Sequence, residues 1–110
     1  MSRVLLFGGT REGHFLAGAL VEKGQEVTLS VATEYGEMVL EPELRNHPLL
    51  TVHSGRLDEQ QMEEWMSGGE FGLVIDATHP YAALVTRQIR EICSRLGLPL
   101  LRCLRPGQEQ

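Results

Sequence analysis

A chain of 110 residues with 42% hydrophobic and 23% charged side chains suits one ordinary globular domain and is too short for two that each bury a core. Ten Lys and Arg against fifteen Asp and Glu leave a formal charge of −5, which argues against a nucleic-acid partner met through a basic face. No apolar run approaches the roughly 20 residues of a bilayer span, so no membrane partner is expected.

Met1-Ser2-Arg3 leads straight into the apolar Val4-Leu5-Leu6-Phe7, without the longer apolar stretch and small-residue cleavage site of a signal peptide. The expectation is a cytoplasmic protein. Val4 to Phe7, ended by Gly8-Gly9, has the pattern of a strand buried on both faces. Phe15, Leu16, Ala19 and Leu20 then recur at helical spacing, with Gly24 as the stop. Glu26 to Ala32 alternates, with Val27, Leu29 and Val31 on one face of a second strand. Met38, Val39 and Leu40 suggest a short helix whose length Pro42 and Pro48 limit. Leu50 to His53 reads as a third strand. Asp58 is positioned to cap the next helix, whose apolar face is Met62, Trp65 and Met66.

Leu73-Val74-Ile75 is the fourth strand. Pro80 is expected to start the helix that follows, with Val85, Ile89, Ile92, Cys93 and Leu96 in one stripe ended by Gly97. Leu98 to Leu104 reads as a fifth strand, and 105–110 as a polar tail. Cys93 and Cys103 lie in apolar patterns without CxxC spacing and read as reduced thiols; with four histidines they offer no zinc-ligand spacing, so no metal is expected. Strand and helix alternating with short connections predict a doubly wound, Rossmann-like α/β domain over residues 1–104. Its five-stranded parallel sheet has order 3-2-1-4-5 with helices on both faces.

Two segments carry chemistry. Gly8-Gly9-Thr10-Arg11-Glu12-Gly13 joins the first strand to the first helix, where backbone N–H groups and the helix N-terminus favour a phosphate. Gly9 allows close approach, Gly13 lets the helix pack tightly, and Thr10 caps the helix or bonds a phosphate oxygen. The spacing is neither GxGxxG nor a nucleoside-triphosphate loop. The second strand ends in Ser30-Val31-Ala32-Thr33, hydroxyls where an NAD site usually carries an acid, which favours NADPH over NADH. Arg11 or Arg56 is within reach as a partner for the extra phosphate.

Asp76-Ala77-Thr78-His79-Pro80-Tyr81 follows the fourth strand at the edge where open α/β sheets bind ligands, and the predicted strand order faces it towards the glycine turn. His79 can donate a proton or hydrogen bond, and Tyr81 can line a planar ligand. Arg56, in Gly55-Arg56-Leu57-Asp58, can grip a phosphate or carboxylate. His14, His47 and His53 read as structural or surface residues.

In order and spacing, Gly8–Gly13, Ser30–Gly36, Gly55–Asp58 and Asp76–Tyr81 resemble the precorrin-6x (precorrin-6A) reductases, over nearly the whole chain. The resemblance implies reduction of a double bond of a corrin-ring precursor in cobalamin (vitamin B12) biosynthesis, with NADPH as the usual cofactor. It implies that Gly9, Thr10 and Gly13 serve the cofactor phosphates and that Ser30 and Thr33 lie near its ribose. It sets Thr78, His79 and Tyr81 near the nicotinamide or the macrocycle, with His79, Tyr81 or solvent as the proton source. It also implies a second α/β half, about as large as the first, beginning near 105–110. The expectation is a cofactor-binding half that takes a corrinoid macrocycle together with that second half or by self-association. The alternative is a non-catalytic nucleotide-binding or partner-docking module. A short-chain-type enzyme finds no Tyr-xxx-Lys pair.

Overall fold

A computed structural model describes residues 3–32, 40–79 and 82–103. The chain runs β1 (Arg3–Phe7), α1 (Arg11–Glu22), β2 (Val27–Val31), α2 (Pro42–Arg45) and β3 (Leu50–Ser54). It continues through α3 (Glu59–Gly68), β4 (Phe71–Asp76), α4 (Ala83–Leu96) and β5 (Leu100–Arg102). The strands form one parallel sheet of order β3-β2-β1-β4-β5, as the alternation of elements predicts.

Two cores sandwich this sheet. Val4 and Leu6 of β1, with Val27, Leu29 and Val31 of β2, pack against Ala17 and Val21 of α1 and Leu44 of α2. Leu5 and Phe7 face the other way, onto Met62 and Met66 of α3 and Ile89, Ile92 and Cys93 of α4. Alternation at period two puts successive β1 residues into opposite layers, which is why its apolar run is unbroken. β2 reads as half-polar, yet Thr28 and Ser30 are buried too, because helices cover both faces.

Local chemistry sets the helix ends. Asp58 Oδ1 accepts from the Gln61 amide at 2.8 Å while Gln61 Oε1 accepts from the Asp58 amide at 3.0 Å, a complete capping box opening α3. Gly97 closes α4 with φ of 71°, and the Leu98 amide turns back to the Cys93 carbonyl at 2.9 Å. That closure delays β5, which starts only after Pro99 and is shorter than the predicted Leu98–Leu104; residues 104–110 lie outside the described residues. Of the expected Met38–Leu40 helix, residues 38 and 39 lie outside the described residues. The helix observed is α2, and Pro42 begins it, because a first turn leaves its N–H unpaired in any case.

Candidate functional site

All five strands end at one edge. Register puts His53, Ser30, Phe7, Asp76 and Arg102 in its last row. The chain moves outward from β1 through β2 to β3, then crosses back to β4 and outward to β5, so strand order reverses between β1 and β4. A crevice opens at such a reversal because the two flanking loops leave in opposite directions.

The glycine turn forms one wall. Gly8 continues the ladder, its amide donating to the Ser30 carbonyl at 2.8 Å, so its N–H is already used. Gly9 has φ of 121°, a region that L side chains avoid, and a Cβ there would meet open space. Thr10 is the N-cap of α1 and accepts from the Gly13 amide at 3.1 Å. Its own hydroxyl proton goes to the Ala77 carbonyl at 2.8 Å. Of the two roles expected for this side chain, capping is the one in place. A Cβ on Gly13 would stand 3.2 Å from Ala77 Cβ and 3.4 Å from Gly8 Cα, so the missing side chain is what lets α1 sit against the turn and β4. The amides of Gly9, Thr10 and Arg11 have no acceptor among the described residues. They stand at a 12-residue helix's N-terminus, where unpaired donors and the backbone dipole favour an anion.

The loop after β4 is the other wall. Asp76 is 1% exposed. Its Oδ1 accepts from the Thr78 amide at 3.0 Å, the Thr78 hydroxyl at 2.6 Å and Arg102 at 3.1 Å, while Oδ2 is buried with no partner. A carboxylate so enclosed shapes the loop and does not present itself to a ligand. Thr78 is half-buried and its hydroxyl also lies 3.3 Å from that of Thr86. His79 is exposed at the edge, its carbonyl accepting from Ala82 at 2.9 Å. Pro80 and Tyr81 lie outside the described residues, as does Thr33.

Ser30 is 9% exposed, its side chain in the row between Phe7 and His53. Arg56 follows Gly55, whose amide extends the sheet to the Val31 carbonyl at 3.0 Å. Arg56 is exposed with no described partner, beyond the β2 side of the glycine turn. The crevice therefore brings Gly9, Thr10, Gly13, Ala77 and Thr78 together, with Arg56 displaced towards β3. A cavity of about 850 Å³ continues from Gly9, Thr10 and Arg11 between α1 and α2, past His14 and Phe15 to Leu44 and His47. Burial pushes the His14 imidazole below its ordinary value and leaves its Nε2 without a partner.

Sequence reasoning missed Arg102. One guanidinium nitrogen, Nη1, lies 3.0–3.4 Å from the Asp76 carbonyl, Asp76 Oδ1, the Thr78 carbonyl and Thr78 Oγ1. Only the register of β5 beside β4 reveals it, because nothing in the local pattern marks an arginine at the end of an edge strand.

The family profile described as precorrin-6x reductase CbiJ/CobK matches residues 3–110. The chain belongs to the precorrin-6x reductase family. Among relatives, the cobalt-precorrin-6A reductase of Salmonella typhimurium is 36% identical over 105 residues, covering 96% of this chain and 38% of that protein. The precorrin-6A reductase of Mycobacterium tuberculosis is 36% identical over 106 residues, covering 96% and 41%. The chain thus spans about two fifths of the length of the curated relatives it matches. The solved structure titled CobK precorrin-6A reductase superposes with a TM-score of 0.77 at 28% identity, over 96% of this chain and 39% of that one. A short-chain dehydrogenase/reductase of Veillonella parvula, solved in complex with NADP, gives a TM-score of 0.72 at 16% identity over 97% and 49%, a likeness of fold. Among the described residues, no helix is long and apolar enough to cross a membrane, and no group of three or more His, Cys, Asp or Glu is arranged to hold a metal.

Proposed function

We propose that this chain is the dinucleotide-binding part of a precorrin-6A or cobalt-precorrin-6A reductase of cobalamin biosynthesis, with NADPH as its cofactor. The observation that carries the reading is the set of unpaired amides at Gly9, Thr10 and Arg11, aimed from a helix N-terminus at a strand-order reversal. Those donors suit a diphosphate, and the open space at Gly9 admits it without a side chain in the way. When bound, the reduced nicotinamide supplies the hydride that saturates one double bond of the corrinoid macrocycle.

The chain's own residues bind and orient. Gly9, Thr10 and Arg11 hold the diphosphate through their amides, while Gly8 and Gly13 keep the turn tight. Ser30 ends β2 on the side that takes the adenosine ribose, and the sequence offers the Thr33 hydroxyl as a further ribose contact. No carboxylate follows Ser30 through Ala32 to repel a 2′-phosphate, and Arg56 is the nearby cation that would pair with it. Asp76 fixes Thr78, Thr78 and His79 line the nicotinamide side, and the proton comes from His79, Tyr81 or solvent. A corrinoid macrocycle needs walls on both sides, and the length by which the curated relatives exceed this chain is the natural source of the others.

Fluorescence titration of the chain with NADPH and NADH tests the cofactor claim. Tighter binding of NADPH is the expected result, and loss of that preference in Arg56→Gln assigns the 2′-phosphate to this residue. Binding weaker than millimolar for both nucleotides would overturn the reading. Corrinoid-dependent NADPH oxidation by the longer protein tests the reductase claim.

A further inference from the structure

Arg102 is a half-buried cation on the last strand, 26% exposed, and it belongs to neither wall of the crevice. Its Nη1 holds the carbonyls of both Asp76 and Thr78, two residues apart, while also facing Asp76 Oδ1 and Thr78 Oγ1. Binding two successive turns of one loop from one nitrogen pins the loop's curvature. Between them, the Ala77 carbonyl accepts from Thr10, and the Ala77 amide donates to the Phe7 carbonyl at 2.8 Å. Hydrogen bonds from β5 hold Asp76 and Thr78, and those of Ala77 between them reach β1 and the cap of α1, so this short segment is tied on both sides. The Cys103 amide, at 2.9 Å from the Asp76 carbonyl, adds a second tie from the same strand. The buried Asp76 charge holds the guanidinium there, because a buried carboxylate left without a cation is costly.

We infer that Arg102 is a positioning residue for the dinucleotide site: it sets the loop after β4 against the glycine turn and so fixes the wall that meets the nicotinamide half. The inference rests on the cofactor reading above. A diphosphate at Gly9–Arg11 with its adenosine towards β2 extends its other half across the reversal towards β4. Arg102 therefore acts on one half of the ligand. Loss of overall stability, by contrast, would weaken both halves alike. Because all four contacts converge on one nitrogen, a lysine ammonium can replace much of the clamp, whereas methionine keeps the stem and removes the cation.

The test compares wild type, Arg102→Met and Arg102→Lys, titrated with NADPH and with 2′,5′-ADP, which lacks the nicotinamide half. The expected result is about tenfold weaker NADPH binding in Arg102→Met, unchanged 2′,5′-ADP binding, and recovery to within about threefold in Arg102→Lys. Equal weakening of both ligands, or no weakening of either, overturns the positioning role and leaves the cofactor reading standing. A wild type that binds neither ligand overturns both. Should Arg102→Met not fold, Arg102→Gln against Arg102→Lys makes the same comparison, with loss confined to NADPH in Arg102→Gln as the supporting result and equal or absent loss as the overturning one.

Discussion

Gly13 and Gly18 stand five residues apart on α1, and the same substitution should move them in opposite directions. At Gly13 a new Cβ meets Ala77 Cβ and the Gly8 backbone, neither of which can swing aside. We expect Gly13→Ala to cost about 1 kcal/mol despite its better helix propensity. At Gly18 a new Cβ meets open space in a helix interior, so Gly18→Ala should gain about 0.5–1 kcal/mol. Urea unfolding of the two variants checks both. Cys93 supplies a pH dependence. Burial first, and the Asp76 carboxylate second, push its thiol from 9.0 up to about 11. A folded value above the unfolded one gives stability that is full below pH 9 and is lost as pH rises towards 11. Melting curves over that window should fall more steeply in wild type than in Cys93→Ala. The glycines of the turn after β1 were legible in the sequence, since a strand running into Gly8-Gly9 names its own geometry. The enclosure of Asp76 was not, because its cation Arg102 comes from another strand, 26 residues away.

Among the elements, α3 shows how a short sequence signal becomes structure. Asp58 and Gln61 satisfy one another's amides, so Asp58→Ala should cost about 1 kcal/mol, read as a lower urea midpoint with an unchanged slope. Arg95 of α4 reaches Glu59 and Glu63 of α3 at 3.4 and 2.6 Å, but this exposed pair matters less than the apolar seam beneath it. The α4 stripe was plain from its spacing, as was Gly97. β5 was overestimated because Leu98 is apolar for another reason: it packs under the closing turn of α4. Pro42 limits a helix that precedes it but opens the one that follows, and the pattern of apolar residues alone does not distinguish the two.

For the whole molecule, the decisive fact is that one sheet serves two cores. Leu5 and Leu6 are neighbours in sequence, both fully buried, and they belong to opposite layers. Damage to one layer is therefore transmitted through β1 to the other. Leu6→Ala, on the α1 side, should cost about 3 kcal/mol. The single tryptophan, Trp65, reports from the opposite side, where it packs edge-on against Phe7 and Phe71. Its fluorescence transition should shift together with the circular-dichroism transition; separate midpoints would mean that the layers unfold independently. Strand order was readable because alternating elements with short connections leave few right-handed arrangements. What the sequence could not give is the reach of Arg102 across strands.

The pairing of β1 with β4 also dictates an order of events during synthesis. β1 emerges before its partner on one side, Phe71 to Asp76, which lies roughly 70 residues downstream. Until the ribosome has released that stretch, Leu5 and Phe7 have no completed layer to enter, and a nascent chain must shelter them. The glycine turn is thus made well before the strand whose loop faces it. Chains stalled before β4 should be the ones that chaperones hold.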